Sequence, residues 1–327
     1  MFEIDGMFVV DPPVWSIDCA SGSVNCLCYS NYGNQVALSS DPGEVSIYSI
    51  YDGNHLTTLK QTYTNYQITN VHYHPVEENL LLASSKDGFM LLFDIYTGEI
   101  TSFSRHLGSN LLTMNIDTYG ETFAIGCADG SIRIYDLENL QRTKALVKMT
   151  GRGAGSTSMI YTLLYYPDDS NIIISTSGSD RILFWDVRTG NSERSLIGAH
   201  VRGNGIDIYQ NSIITASFRD CKQLEVWDFG TAKKIRDFNF DPPSGTKQAN
   251  LNCVSVAKNG LNVVAGGAVT NQAQAFDFSK GNSIGFSKPG NSQITNIAMS
   301  PFGSSFVLGT ENGSVQCYAI RVNQNTA

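Results

Sequence analysis

Two histidines, a glycine run and a cluster of arginines are the residues of this chain whose types and spacing could carry chemistry. His72 and His74 alternate along "ITNVHYHP", so one strand face would present both imidazoles to a shared metal. No third ligand stands at a suggestive spacing, and a place at a strand end suits them better. The stretch "TGRGAGSTS", residues 150–158, has the composition of a phosphate cradle. A cradle needs its glycines between a strand and a helix N-terminus, with Lys-Ser or Lys-Thr following for a P-loop, and neither context exists. Near it in sequence lie Lys148, Arg152, Arg181, Arg202, Arg219 and Lys222, interrupted by Asp180 and Asp220. Six cations against two carboxylates leave a local charge of plus four in a chain of net charge -8. Arginine clusters grip carboxylates and phosphates bidentately, so an acidic or phosphorylated segment is the ligand such a set would hold. The plainer reading pairs Arg181 and Arg219 with the aspartates of their own turns and leaves the others solvated. The histidines, His55, His72, His74, His106 and His200, are joined by no nucleophile elbow and no metal motif. No catalytic residue, metal or cofactor is therefore expected.

Composition sets the bounds within which these residues must be positioned. The chain has 327 residues, 42% of them apolar and only 16% charged, enough for a sizeable core and without a global drive toward nucleic acid or anionic membrane. The acidic start "MFEIDGMFVVDPP" lacks the basic region of a signal peptide, and no apolar run approaches the about 18 residues of a membrane helix. Seven scattered cysteines without a CxxC pair read as reduced core thiols. A cytoplasmic protein that binds neither nucleic acid, membrane nor small-molecule substrate is the expectation.

The elements that must carry the arginines emerge from internal repetition. "SSKDGFMLLFDIYTGEI", "GCADGSIRIYDLENLQ", "SGSDRILFWDVRTGNS" and "RDCKQLEVWDFGTAKK" are copies of one unit: a polar turn, an apolar run ending in an aromatic, then Asp and a second turn. "DPGEVSIYSIYDGN", "VTNQAQAFDFSKGN" and "TENGSVQCYAI" complete the set. The position after the aromatic falls at Ser49, Asp94, Asp136, Asp186, Asp228, Asp277 and Ala319, at spacings of 45, 42, 50, 42, 49 and 42. Short β-branched and aromatic runs punctuated by Asp87-Gly88, Asp129-Gly130 and Asn312-Gly313 read as strands joined by tight hairpins, and helical periodicity is absent. Each unit is then a small antiparallel sheet that must stack on its neighbours.

The chain resembles the WD40 family of β-propellers over essentially its whole length. The WD dipeptide stands at Trp185-Asp186 and Trp227-Asp228, with variants at Phe93-Asp94, Tyr135-Asp136 and Phe276-Asp277. The resemblance implies one all-β, seven-bladed propeller over residues 1–327, with blades near 24–59, 68–103, 111–146, 160–196, 203–238, 251–286 and 294–320. The last unit stops after three strands, so a strand within residues 7–18 is expected to complete it and close the ring. The family's stabilising network of loop His, Ser or Thr, turn Asp and strand Trp would fall on His200, Ser217, Asp220 and Trp227. His106, Asp129 and Tyr135 match it in part. Elsewhere the network is degenerate, so cohesion is expected from apolar packing between blades.

The two long spacings place insertions at residues 147–159 and 239–250, between one unit and the next. In a WD40-like ring such loops share the top face with the hairpin turns, which puts "TGRGAGSTS" and the six cations in one sector of that face. The family is overwhelmingly non-enzymatic, and the default expectation is a scaffold for other proteins in a multi-subunit complex. Two narrower readings accompany it. "IIISTSGSDRILFWDVR" resembles the box by which some WD40 proteins dock on a cullin-type ubiquitin ligase adaptor, with Trp185, Asp186 and Arg188 as the matching residues. The fifth unit also looks like blades of WD40 proteins from flagellated protists, which implies a cytoskeletal or axonemal place.

Overall fold

The computed structural model describes residues 3–4, 7–8, 12–19, 22–40, 43–146, 158–219, 221–240, 250–287 and 290–320. Lys148, Arg152, Asp220 and most of both insertions lie outside them. Seven four-stranded antiparallel sheets form a seven-bladed propeller, and the described residues contain no helix. Blade 1 runs through Val24–Tyr29, Gln35–Ser40, Glu44–Ser49 and His55–Leu59 in that order outward, and blades 2 to 6 repeat it. The first strands of consecutive blades touch one another around the ring, which makes them the axial strands.

Burial follows this order. The second strands read as continuous apolar runs, "QVALSS" or "IITAS", because neighbouring blades cover both of their faces. The outer strands alternate, as in Ile100–Arg105, because one of their faces meets water. Seven apolar clusters result, one at each interface between consecutive blades. The aromatic of each repeat sits inside them, with Phe93, Tyr135, Trp185, Phe276 and Tyr318 nearly or wholly buried. Removing each from water contributes about 2 to 3 kcal/mol. Packing between blades is thus the main cohesion, as the degenerate polar network required. Polar stitches add to it along the axis: Asn115 Oδ1 accepts the Tyr165 N–H at 2.9 Å, Asp207 Oδ2 that of Val256 at 2.7 Å, and Ser255 Oγ that of Met299 at 3.1 Å.

The aspartate after the aromatic has a local task. Asp94 Oδ1 accepts the N–H groups of Tyr96 and Thr97, Asp277 Oδ1 those of Ser279 and Lys280, and Asp228 Oδ1 that of Thr231. Each carboxylate folds the turn that leads to the outer strand.

The ring closes through the N-terminal segment. Trp15–Asp18 pairs antiparallel with Ser314–Cys317 and supplies the fourth strand of blade 7. The Trp15 indole donates to the Ile50 carbonyl of blade 1 at 2.6 Å and packs against Gly53, where any side chain would overlap the ring. One residue therefore belongs to blade 7 by its backbone and to blade 1 by its side chain.

Candidate functional site

Strand register sorts every turn onto one of two faces. Ile160 pairs with Ser177, Arg181 with Ile197, Val201 with Ser217, and Leu224 with Phe238. The ends of first strands and starts of second strands lie at the opposite side. Arg181, Arg202, Arg219 and Lys222 accordingly share the top of blades 4 and 5.

The Arg181 half of the plainer pairing does not form, and the Arg219 half needs Asp220, which lies outside the described residues. Asp180 accepts from His200 Nδ1, reaching across from blade 4 to the start of blade 5, and makes no ion pair with Arg181. Arg219 points inward: its guanidinium lies 3.4 Å from Glu225, a nearly buried strand residue that also meets Lys234 at 3.5 Å. Burial raises the Glu225 carboxyl pKa, and the two cations oppose that rise. Arg219 thus neutralises a buried acid. Arg202 lies over the Phe218 ring, 4.8 Å from its centroid, and remains exposed, as do Arg181 and Lys222. Lys222 holds a left-handed conformation, φ 52°, in the hairpin turn.

The polar network takes a different course from the one the resemblance implied. The Trp227 indole donates to Thr215 Oγ1 at 3.0 Å, and Trp185 to Ser175 Oγ at 2.9 Å. In both blades the acceptor lies two residues beyond the strand partner of the Trp, Ile213 or Ile173, on the same side of the strand. Ser217 is two residues too far, and its hydroxyl has no hydrogen bond among the described residues. His200 serves Asp180 instead. In blade 3 the partial set does meet, with Arg133 inserted: its guanidinium donates to His106 Nε2 and, at 2.7 Å, to Asp129 Oδ2. Because Arg only donates, Nε2 is the acceptor and Nδ1 carries the proton, given to Tyr135 Oη at 2.9 Å. Burial and the neighbouring Arg133 and Arg142 hold the His106 pKa down, which keeps this tautomer neutral.

On the bottom, Arg188 folds back on Asp186 through Nε at 3.2 Å and a terminal nitrogen at 2.9 Å, and this pair pulls the Asp186 pKa down to about 2. Trp185 is buried, so of the docking box only a self-paired guanidinium meets solvent. His72 and His74 do not converge on a metal, and no cluster of metal-ligating side chains occurs among the described residues. Burial lowers His72 to about 4. His74 Nδ1 instead accepts the N–H groups of Val76 and Glu77, at 3.1 and 2.8 Å, while Nε2 donates to the Gly120 carbonyl of blade 3 at 3.2 Å. None of the described cysteines is disulfide-bonded, and four of them are buried.

Sequence reasoning missed the aromatics of the bottom turns. Tyr32, Tyr119 and Phe302 tip the turns after the axial strands of blades 1, 3 and 7, and Tyr51 and Tyr96 tip the outer turns of blades 1 and 2. All are more than half exposed. The signal was present as an aromatic directly before glycine in "NYGN", "TYGE" and "PFGS", and as Tyr-x-Gly in "IYDG" and "IYTG".

Seven stacked four-stranded sheets with aspartate-capped turns define the molecule as a β-propeller. A family model described as "WD domain, G-beta repeat" matches residues 98–136, so the chain carries at least one repeat of the WD40 type. It is similar to the guanine nucleotide-binding protein subunit beta of Solanum tuberosum, 21% identical over 254 residues that make up 74% of this chain and 65% of that protein. The subunit beta of Arabidopsis thaliana matches at 22% over 255 residues, with the same coverage. The GATOR2 complex protein WDR24 of Danio rerio is 27% identical over 135 residues, 40% of this chain and 16% of that protein. The chain thus spans 65% of the length of the plant beta subunits it matches.

Proposed function

We propose that this propeller is a non-enzymatic adaptor that holds an acidic or phosphorylated protein segment on the top of blades 4 and 5, within a multi-protein assembly. The observation that carries this reading is the diversion of Asp180 to His200. It leaves Arg181 exposed without an ion pair among the described residues, and Arg202 is exposed on the same face, propped on Phe218. Exposed arginines braced by an aromatic ring offer bidentate donors at low ordering cost. The relatives whose names speak of a subunit and of a complex support the assembly. The self-paired Arg188 favours neither a ligase dock nor any other use of that turn.

The test is fluorescence anisotropy with a labelled Glu- and phosphoserine-rich peptide. Arg181→Glu combined with Arg202→Glu is expected to weaken binding by about tenfold or more while the thermal midpoint stays within a degree or two. Unchanged affinity would sink the reading. Detergent and salt fractionation with identification of co-purifying proteins then locates the assembly: a soluble complex fits the adaptor, and sedimentation with tubulin moves the protein to a cytoskeletal lattice.

A further inference from the structure

The bottom of blades 7, 1, 2 and 3 is rich in exposed aromatics among the described residues. Five exposed aromatics crowd it, Tyr32, Tyr51, Tyr96, Tyr119 and Phe302, and large exposed aromatics are enriched where proteins meet. The turns that carry them are tied to one another. Asn31 donates to the His74 and Pro75 carbonyls at 2.8 and 3.1 Å, His74 to the Gly120 carbonyl, and the Pro301-Phe302 turn lies directly on Gly33. At Gly120, φ 74°, any side chain would overlap the His74 imidazole, so these turns are held at fixed spacing. The surface is built before a partner arrives, which lowers the ordering cost of binding.

Charge decides what that partner is. The turns of these four blades at residues 30–34, 50–54, 74–79, 95–99, 117–121, 137–141 and 300–304 contain no Lys or Arg, and Glu77, Glu78, Glu99, Glu121 and Glu138 stand exposed on them. Between blades 1 and 2 the surface dips into a cleft of about 50 Å3 walled by Tyr32, Tyr96 and Glu78, with Tyr73 and Ile95 beneath. Tyr32 and Glu78 line the same cleft, and the neighbouring carboxylate raises the Tyr32 hydroxyl pKa.

We infer that this face docks an arginine-bearing basic protein segment, with one guanidinium seated between Tyr32 and Tyr96 and paired to Glu78. A guanidinium suits the site on three counts: it is planar and stacks on phenol faces, it gives parallel donors to a carboxylate, and it sheds water more readily than an ammonium. The acidic segment suited to the top of blades 4 and 5 is repelled here, so the two surfaces take opposite partners. The inference is independent of the top-face reading.

The test is anisotropy of a labelled alternating Arg-Ser peptide, beside a Lys-Ser peptide of equal length, at fixed ionic strength. The wild-type protein is expected to bind the Arg-Ser peptide several-fold more tightly than the Lys-Ser peptide. Tyr32→Ala and Tyr96→Ala are each expected to weaken Arg-Ser binding by about tenfold, with Glu78→Gln close behind and thermal midpoints unchanged. Equal affinity for both peptides, or tyrosine variants that bind like wild type, would reduce the effect to diffuse attraction by an acidic protein and overturn the proposal. Concentration-dependent dimerisation of wild type that disappears in the Tyr32→Ala, Tyr96→Ala double variant would also overturn it, since a second copy would then be the occupant.

Discussion

The cations on the top of blades 4 and 5 stand beside connections of unequal length, whereas the aromatics on the bottom of blades 7, 1, 2 and 3 all sit in short turns closed by glycine. The reason is topological. The top carries hairpins too, but it also carries the connections that join blade to blade, and those can absorb insertions such as residues 147–159 without disturbing a sheet. Bottom turns join neighbouring antiparallel strands, and their geometry is fixed by pairing on both sides. One surface of a propeller is therefore free to vary in loop length, and the other presents side chains at spacings set by the ring. The top cations differ further in how they are used, since Arg219 is consumed by Glu225 while Arg181 and Arg202 remain available.

The largest expected effect comes from uncoupling the two surfaces at the seam. Trp15→Ala removes an indole that is 8% exposed and joins blades 7 and 1, at an expected cost of about 3 to 5 kcal/mol in denaturant unfolding. Below its unfolding transition the variant should lose Arg-Ser peptide affinity, because Gly53 and the Tyr51 turn lean on that ring, yet keep the acidic peptide on blades 4 and 5. Parallel loss of both would show that the surfaces are one cooperative unit.

A smaller effect is expected from acid. Burial lowers the His74 pKa, against the opposing influence of the Gly120 carbonyl, Glu77 and Asp117. The unfolded chain therefore takes up the proton first. The contribution of neutral His74 is fully present above the ordinary histidine value of 6.5 and declines as pH falls below it. His72, lowered to about 4, adds a slope of the same sign. Urea unfolding from pH 7 to pH 5 should show this loss, and His74→Gln should flatten part of it; an unchanged slope would remove His74 as the bottom-face cap.

The smallest difference is in salt dependence. Acidic-peptide binding at Arg181 and Arg202 should fall steeply as ionic strength rises, and Arg-Ser binding less steeply, because stacking on Tyr32 and Tyr96 is not screened. Equal slopes in anisotropy titrations would erase the distinction between a charged and an aromatic surface.

The architecture was legible because its signal repeats. Seven aromatic positions at near-constant spacing, hairpin glycines and a final unit short of one strand lead to the closed ring with little other input. The top sector was legible only as a location. That Arg181, Arg202, Arg219 and Lys222 share a face follows from strand order, but their partners do not: His200 reaches Asp180 across a blade boundary, and Glu225 meets Arg219 from a third strand. The network failed by one step of the strand period, since Ser217 and Thr215 project to the same side of one strand and only register tells which meets Trp227. The bottom aromatics went unread for another reason. A Tyr beside a turn glycine reads as local punctuation until the turns are seen side by side.

The pairing of Trp15–Asp18 with Ser314–Cys317 also bears on how the molecule comes into being. Six blades can assemble as the chain leaves the ribosome, each on its predecessor, but the seventh cannot finish until its third strand emerges and finds a partner made before the first blade. Until then the Ser314–Ala319 strand presents an open edge, and residues 15–18 remain an unclaimed strand able to pair with a neighbouring nascent chain. Closure joins strands far apart along the chain, and long-range pairing of this kind forms slowly. It is the point at which a chaperone, or a second copy, competes with the Trp15–Asp18 strand.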